Sequence, residues 1–229
     1  MKRMGPLLGL CLCLTGLIGC YTADSGDYAT EQIHCGFAVE LADGIVTATA
    51  SFWTPGARPG NPTYLVLTAS DTVTVNGVRM QRKRGPLFDF YEATLEPVDA
   101  YVFTFSRGDG ESYDSTVPAI PEVIVTHPLP AAYSRAEDLL VTWTNPVADS
   151  DVTIHVPDGQ YFDGIFQTIE DFGEHTIPAG TFTLDEMSPQ TDIQAQVIVT
   201  RRHEGTMAAD LNGSIVARAR GVAKFISTE

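Results

Sequence analysis

The sequence predicts an all-β protein built of two tandem antiparallel β-sandwich domains, and three observations support this. Short runs with alternating apolar residues, such as GIVTATASFW (44–53) and AYVFTFS (100–106), are separated by Gly, Pro, Asn and Asp. Strands that recur at short spacing with such turn residues between them are typical of sandwiches and barrels. Asn76-Gly77 between two alternating runs indicates a two-residue hairpin, because both residues tolerate positive φ. After the first 20 residues, no ten-residue stretch has helical periodicity.

The first 19 residues have the pattern of an export signal. Lys2 and Arg3 precede an apolar run from Leu7 to Ile18. A helix of about 12 residues rises only about 18 Å, whereas the hydrocarbon core of a bilayer is about 30 Å thick. A spanning helix is therefore disfavoured, and a short positive segment followed by a short apolar one is typical of a secretory signal peptide.

The tetrapeptide Leu17-Ile18-Gly19-Cys20 resembles the lipobox of bacterial lipoproteins. The resemblance implies cleavage after Gly19, a diacylglyceride on the Cys20 sulfur and acylation of the new amine. A plain signal peptide that is cut elsewhere is the alternative. Each buried methylene contributes about 0.8 kcal/mol, so two or three acyl chains would hold the protein on a lipid bilayer. We therefore expect a lipid-anchored protein of the bacterial cell envelope. In this family an Asp after the cysteine often marks inner-membrane retention, so Tyr21 favours the outer membrane.

Residues 20–31 are predicted to form a lipidated, flexible tether. Between Thr22 and Glu31 the chain consists of Gly, Ser, Ala, Thr and acidic residues, with Tyr28 as the one bulky side chain. Ten such residues reach at most about 35 Å.

The mature chain is strongly acidic. Removal of residues 1–19 leaves 12 basic and 29 acidic residues, a net charge of about −17. That charge argues against nucleic acid or anionic lipid headgroups as partners, since both are polyanions. It is compatible with cationic ligands or divalent metal, but a solvated acidic surface without a partner is the preferred interpretation. Cys35 is the remaining thiol, so the domain has no disulfide framework, and we expect Cys35 to be buried and inert.

We expect a first sandwich at 32–119 and a second at 120–229, with a proline-rich boundary near Pro118 to Pro121. The run DLLVTWTNP (138–146) places Leu139, Val141 and Trp143 on one face of a strand. This pattern resembles the second strand of fibronectin type III and related immunoglobulin-like modules. The resemblance implies that the Trp packs into the core, but residues 161–180 do not fit a simple series of strands.

No motif indicates catalysis. The five histidines form no HExxH motif, and the chain contains neither a Gly-x-Ser-x-Gly elbow nor a P-loop. We therefore expect no enzymatic activity and interpret the chain as a non-catalytic binding or structural module of the envelope. A small extracytoplasmic hydrolase or metal-dependent enzyme is the alternative from another class.

Acidic turns of the second domain are candidate ligands for Ca²⁺, which prefers six to eight oxygen atoms. The candidates are Asp149, Asp151, Asp158 and Asp163. Asp also favours turns without a metal, because its side chain accepts hydrogen bonds from the backbone two residues on. No other cofactor is expected.

Trp53 and Tyr64 enclose a loop rich in Pro and Gly, WTPGARPGNPTY (53–64). A Trp with a nearby Tyr can form a flat stacking platform for sugar rings, so the alternative partner to an unidentified envelope protein is a glycan. This hypothesis requires Trp53 and Tyr64 to be exposed and coplanar, whereas edges of the core would be covered. The basic cluster Arg82-Lys83-Arg84 is expected on an edge strand, where charge prevents pairing with other sheets.

Overall fold

The structure is a computed structural model that describes residues 22–58, 61–129, 131–157, 164–182 and 192–228. These residues form β-strands, turns and two 3-10 turns, without an α-helix among them. The predicted all-β class is therefore confirmed. The 3-10 turns span Ser25–Asp27 and Thr30–Gln32.

The described residues contain eighteen strands. Those of the first half are β1 (Thr22–Asp24), β2 (His34–Ala42), β3 (Ile45–Arg58), β4 (Asn61–Val66), β5 (Thr72–Val75), β6 (Val78–Arg79), β7 (Gln81–Arg84), β8 (Asp89–Leu95), β9 (Ala100–Ser106) and β10 (Ser112–Pro118). Those of the second half are β11 (Val125–His127), β12 (Ala132–Ser134), β13 (Leu139–Trp143), β14 (Asp151–Val156), β15 (Ile165–Glu170), β16 (Glu174–Ile177), β17 (Ile193–Glu204) and β18 (Asn212–Thr228).

The strands form one large sheet and two small ones. The large sheet has the order β1-β4-β3-β2-β18-β17-β14-β15, and β7, β8 and β12 join it at its sides. A four-stranded sheet, β10-β9-β5-β6, belongs to the first half, and a three-stranded sheet, β11-β13-β16, to the second. The basic cluster lies on β7, which pairs with β8 along one side.

Aromatic rings fill the space between the large sheet and the four-stranded sheet. Phe37 of β2 stacks on Phe103 of β9 with ring centroids 4.8 Å apart, and Phe52 of β3 lies 5.0 Å from Phe105. All four are buried, because the period of two in each strand directs alternate side chains inward.

The predicted hairpin at Asn76-Gly77 is confirmed. Asn76 and Gly77 have φ values of 47° and 77°, and Val75 pairs with Val78 across the turn. Positive φ at both central residues matches the right-handed twist of the flanking strands.

Strand β18 belongs to both halves of the molecule. Its residues 212–219 pair in parallel with β2, and its residues 216–227 pair antiparallel with β17. Gly213 pairs with Cys35 at φ 131°, and a Cβ there would lie 1.9 Å from the Cys35 carbonyl oxygen, so this close approach requires glycine. The sheet is thus continuous across the predicted domain boundary at 119/120, and the division into two domains stays a prediction.

The strand pattern Leu139, Val141 and Trp143 is confirmed as an inward face. These residues are 5%, 0% and 4% exposed. The stretch that did not fit simple strands, 161–180, is described from 164 onward and contains β15 and β16. An immunoglobulin-like strand topology stays a prediction.

The structure differs from the predicted flexible tether over residues 22–31. β1 pairs in parallel with β4, so that Thr22 lies beside Tyr64. Ser25 is fully buried, and its hydroxyl donates to Asp71 Oδ2 at 2.5 Å while accepting from the Thr68 amide at 3.0 Å. The small residues that indicate flexibility in the sequence are here those that fit closely, since a Cβ on Gly26 would lie 2.9 Å from Thr68 Cγ2.

Candidate functional site

Ring side chains from neighbouring strands line the outer face of the large sheet at one end. Trp53 is the direct partner of His34 on one side and of Tyr64 on the other, so all three share a face. Their neighbours in sequence, such as Phe52, point into the core. The Phe88 ring stacks on Tyr64. We call these four residues the aromatic strip: His34, Trp53, Tyr64 and Phe88.

Trp53, at the centre of the aromatic strip, has its indole over a glycine. A Cβ on Gly36 would lie 3.0 Å from Cζ3 and 3.3 Å from Cη2 of Trp53. The imidazole of His34 stacks beside the indole, with ring centroids 5.8 Å apart and planes inclined by 26°. Trp53 is half-buried, so part of the indole is accessible to a ligand. The missing side chain at Gly36 thus lets a large apolar ring lie against the sheet.

Polar groups lie beside Gly36 and beside His34. The Ser51 hydroxyl, on the same face of β3, donates to the Gly36 carbonyl oxygen over 3.5 Å. Asn212 pairs with His34 across β18 and β2, and its amide Nδ2 donates to the Glu31 carbonyl oxygen at 2.8 Å. An apolar ring surrounded by a few hydrogen-bonding groups is the composition of many small-ligand sites.

Tyr64 does not extend this surface as a flat platform would require. It is half-buried, and its ring lies face to face with Phe88 at a centroid distance of 4.0 Å and an angle of 6°. One face of Tyr64 is therefore covered by Phe88. The predicted pair of rings is adjacent in the structure, but Trp53 is the member whose surroundings suit stacking. The sequence did not assign His34 or Phe88 to this site, because only the strand register brings them beside Trp53.

The candidate Ca²⁺ ligands fall only in part within the described residues. Asp149 has a φ of 56° in the turn before β14, and Asp151 is the exposed first residue of that strand. Asp158 and Asp163 lie outside the described residues. Within the described ranges, no group of three or more His, Cys, Asp or Glu side chains could hold a metal ion. The Ca²⁺ site stays a prediction.

A buried polar network in the second half was missed by the sequence analysis. Asp171 accepts from Trp143 Nε1 at 2.7 Å, from Arg201 Nε at 2.6 Å and from the Val147 amide at 3.0 Å. Burial alone would raise the pKa of the Asp171 carboxyl, but the hydrogen bonds from Arg201, Trp143 and Val147 outweigh it and lower the pKa. Arg201 also donates to the Pro121 carbonyl oxygen at 2.9 Å, so the network joins five segments of the chain.

A second network holds the N-terminal segment to the first half. Asp71 accepts from Ser25 and, at 2.9 Å, from the Gly108 amide. Arg107 Nε lies 3.7 Å from Asp71 Oδ1, and Arg107 Nη2 donates to the Tyr28 carbonyl oxygen at 3.0 Å. These contacts fix the chain between β1 and β2.

An open, acidic groove of about 730 Å³ lies beside the start of β18. The Tyr113 hydroxyl donates to Glu111, and this hydrogen bond raises the pKa of Tyr113. The groove is lined by Thr30, Glu31, Glu111, Ser112, Tyr113, Ala209, Asp210 and Asn212.

Cys20, the predicted site of lipid attachment, lies outside the described residues, which begin two positions later at Thr22. Gly19 is outside them as well. Cys35 is fully buried, and burial raises the pKa of its thiol to about 12, which leaves it protonated at neutral pH. The expectation of a buried Cys35 is confirmed. In the part of the chain that the structure describes, no helix has the length and apolarity needed to cross a bilayer.

Comparisons with known proteins give little similarity. No family model matches the chain, and no curated protein matches it significantly. One similar solved structure is SGBP-B of the Bacteroides ovatus mixed-linkage glucan utilization locus, in complex with a mixed-linkage heptasaccharide. The match has 10% sequence identity and a TM-score of 0.23, over 81% of this chain and 52% of that one. The chain thus spans about half the length of that protein, and a likeness at this TM-score assigns neither a family nor a function.

Proposed function

We propose that the chain is a non-catalytic, lipid-anchored binding protein of the bacterial cell envelope, and that its ligand is a glycan bound at Trp53. The anchor is Cys20, after removal of residues 1–19. Each half is an immunoglobulin-like sandwich, a proposal that the inward face of Leu139, Val141 and Trp143 supports.

The observation that carries the glycan proposal is the position of Trp53. Its indole lies over Gly36 on an outer sheet face, and the residue is half-buried. The C–H groups on one face of a pyranose ring are apolar and weakly positive, so they pack on the negative face of an aromatic ring. Ser51 and His34 stand beside the indole and can hydrogen-bond the hydroxyl groups at the rim of the sugar.

Affinity electrophoresis with soluble β-glucan, xylan, mannan and peptidoglycan fragments tests this proposal. We expect one of these polymers to retard the wild-type protein and Trp53→Ala to lose at least ten-fold in affinity. Phe166→Ala is the matched control, because Phe166 is 72% exposed on β15, in the other half. Equal retardation of both variants, or no retardation by any polymer, would contradict glycan binding at Trp53.

The anchor is tested separately by the intact mass of protein from the membrane fraction. We expect a chain that begins at Cys20 and carries added acyl mass, and a Cys20→Ala variant without it. An unmodified wild-type chain would refute the anchored part of the proposal and leave glycan binding to be judged by itself.

A structural role is the second candidate, and β18 supports it. This strand of 17 residues pairs with β2 near its start and with β17 over most of its length. Seventeen residues in extended conformation span roughly 55 Å. A continuous strand resists bending more than a flexible linker, so the protein would hold its second half at a fixed distance from the anchor. Small-angle scattering tests this: one extended, rigid particle is expected, and a distribution of interdomain distances would refute it.

A further inference from the structure

The turn between β7 and β8 combines an exposed leucine with basic side chains. Leu87 is 65% exposed at the tip. Arg82, Lys83 and Arg84 on β7 are exposed as well, and they are three of the 12 basic residues in the mature chain. Arg82 is bound to Asp89, and Lys83 Nζ lies 3.7 Å from Glu92 Oε1. The Lys83 side chain is nevertheless 51% exposed, so Lys83 and Arg84 both present charge to the solvent. We call residues 83–88 the basic hairpin.

The basic hairpin lies close to the predicted attachment point. Cys20 is two residues before Thr22, so the two Cα atoms are at most about 7 Å apart. Thr22 pairs with Tyr64, and the Tyr64 ring is stacked at 4.0 Å on Phe88, the residue after Leu87. The docking of β1 therefore replaces a tether of about 35 Å with a short connection.

The strand directions place the hairpin tip and the anchor at the same end of the first half. β4 and β8 both run antiparallel to β3, and β1 runs parallel to β4. β1 and β8 consequently run in the same direction, and both begin near the level of Trp53, beyond which β3 and β4 continue to the Arg58–Asn61 pair. Acyl chains on Cys20 would draw this end of the molecule, which carries Leu87, to the membrane.

Charge is distributed unevenly over this end. The basic hairpin lies on the β8 side of β3, whereas the acidic groove with Glu31, Glu111 and Asp210 lies on the other side, at the start of β18. The net charge of the mature chain disfavours binding to headgroup phosphates in general, but this hairpin is a local exception. Attraction at the hairpin and repulsion at the groove would tilt the molecule so that the hairpin is nearest to the bilayer.

From these observations we infer that the basic hairpin contacts the phospholipid bilayer that holds Cys20. Leu87 enters the headgroup region, and Lys83 and Arg84 bind lipid phosphates. Apolar insertion and phosphate contacts add to the anchor and fix the orientation of the protein. This inference rests on the proposed lipidation of Cys20.

Site-specific fluorescence on the full, lipidated chain tests the inference. The Leu87→Cys variant is labelled with an environment-sensitive dye and reconstituted in vesicles of phosphatidylethanolamine and phosphatidylglycerol. Cys35 does not react, because it is buried with a pKa of about 12. The control is Ile226→Cys, at a residue that is 41% exposed. Ile226 lies 14 positions along β18 from Asn212, at the start of that strand, so the two residues are roughly 46 Å apart.

We expect lipids with a headgroup spin label to quench more than half of the emission at position 87 and almost none at position 226. Lys83→Glu with Arg84→Glu should reverse most of the quenching at 87. Arg220→Glu with Lys224→Glu makes the same charge change on exposed positions of β18 and should leave it unchanged. Intact mass identifies the lipidated chain in each sample.

Two results would overturn the inference. A lipidated chain whose label at 87 is quenched no more than that at 226 would refute hairpin contact and leave the anchor intact. A chain without acyl mass would refute the anchor and the inference together. Glycan binding at Trp53, measured in solution, is independent of both.

Discussion

Two buried Asp–Arg pairs, one in each half of the molecule, use the same chemistry for different purposes. In the second half, Asp171 and Arg201 approach to 2.6 Å, and their side chains are 0% and 1% exposed. In the first half, Asp71 and Arg107 are 3.7 Å apart, and their side chains are 3% and 10% exposed. The Asp171–Arg201 pair is thus a direct contact without water. The Asp71–Arg107 pair is looser and is reached in part by solvent.

The partners of each carboxylate explain the difference. Asp171 binds donors from β13, from the loop at Val147 and from β17, so it joins elements of one core. Asp71 binds Ser25, and Arg107 binds the Tyr28 carbonyl oxygen, so this pair docks the N-terminal segment. Loss of the Asp171–Arg201 pair should destabilise the whole second half. Loss of the Asp71–Arg107 pair should release only the N-terminal segment.

The largest effect is expected for Asp171→Asn. This variant leaves the buried Arg201 guanidinium without its counter-charge, and removing one partner of a buried pair costs about 3–5 kcal/mol. The free energy of unfolding, measured in urea, should fall by about this amount. Asp151→Asn, at an exposed position of β14, should change it by less than about 0.5 kcal/mol.

A double variant sharpens this prediction. Adding Arg201→Met to Asp171→Asn removes the unpaired charge, so part of the lost stability should return. A loss below about 1 kcal/mol in the single variant, or no recovery in the double variant, would mean that the pair does not stabilise the second half.

The pH dependence of stability should separate wild type from Asp171→Asn. Hydrogen bonds and the Arg201 charge lower the pKa of Asp171 below its ordinary value of 3.8 in the folded state, despite burial. The ionised carboxylate therefore stabilises the fold above the unfolded pKa, and this contribution is lost as the pH falls through the folded pKa. We expect the stability difference between the two proteins to be large at pH 6 and to shrink below about pH 4. A constant difference from pH 6 to pH 2.5 would contradict the lowered pKa.

Local features of the fold could be predicted from the sequence. The Asn76-Gly77 turn and the inward face of β13 depend on residues within a few positions of each other. The pairing of β18 with β2 could not be predicted, because it joins residues about 180 positions apart and no pattern in either strand specifies the partner. The tether was misinterpreted for the same reason: its small residues indicate flexibility unless the distant Asp71 is known to bind Ser25.

The candidate site was predicted in part. Trp53 and Tyr64 were identified by residue type and spacing, and the structure makes them direct partners on an outer face. The sequence could not show that Gly36 lies beneath the indole or that Phe88 covers Tyr64, since both contacts depend on strand register. Register also decides which aromatic residue stays accessible, and composition alone does not.

The smallest effect is expected for Ser25→Ala, which tests the docking of the N-terminal segment. The variant removes the donor to Asp71 and leaves the Thr68 amide without its acceptor, so we expect a loss of about 1–2 kcal/mol. Because Asp71 retains Gly108 and Arg107, the loss should stay below that of Asp171→Asn. Amide hydrogen exchange should accelerate at β1 more than at β2. Ser214→Ala, at an exposed position of β18, is the control and should change neither quantity. Equal acceleration throughout the first half would show that Ser25 supports the whole sandwich, and the contrast between the two Asp–Arg pairs would then disappear.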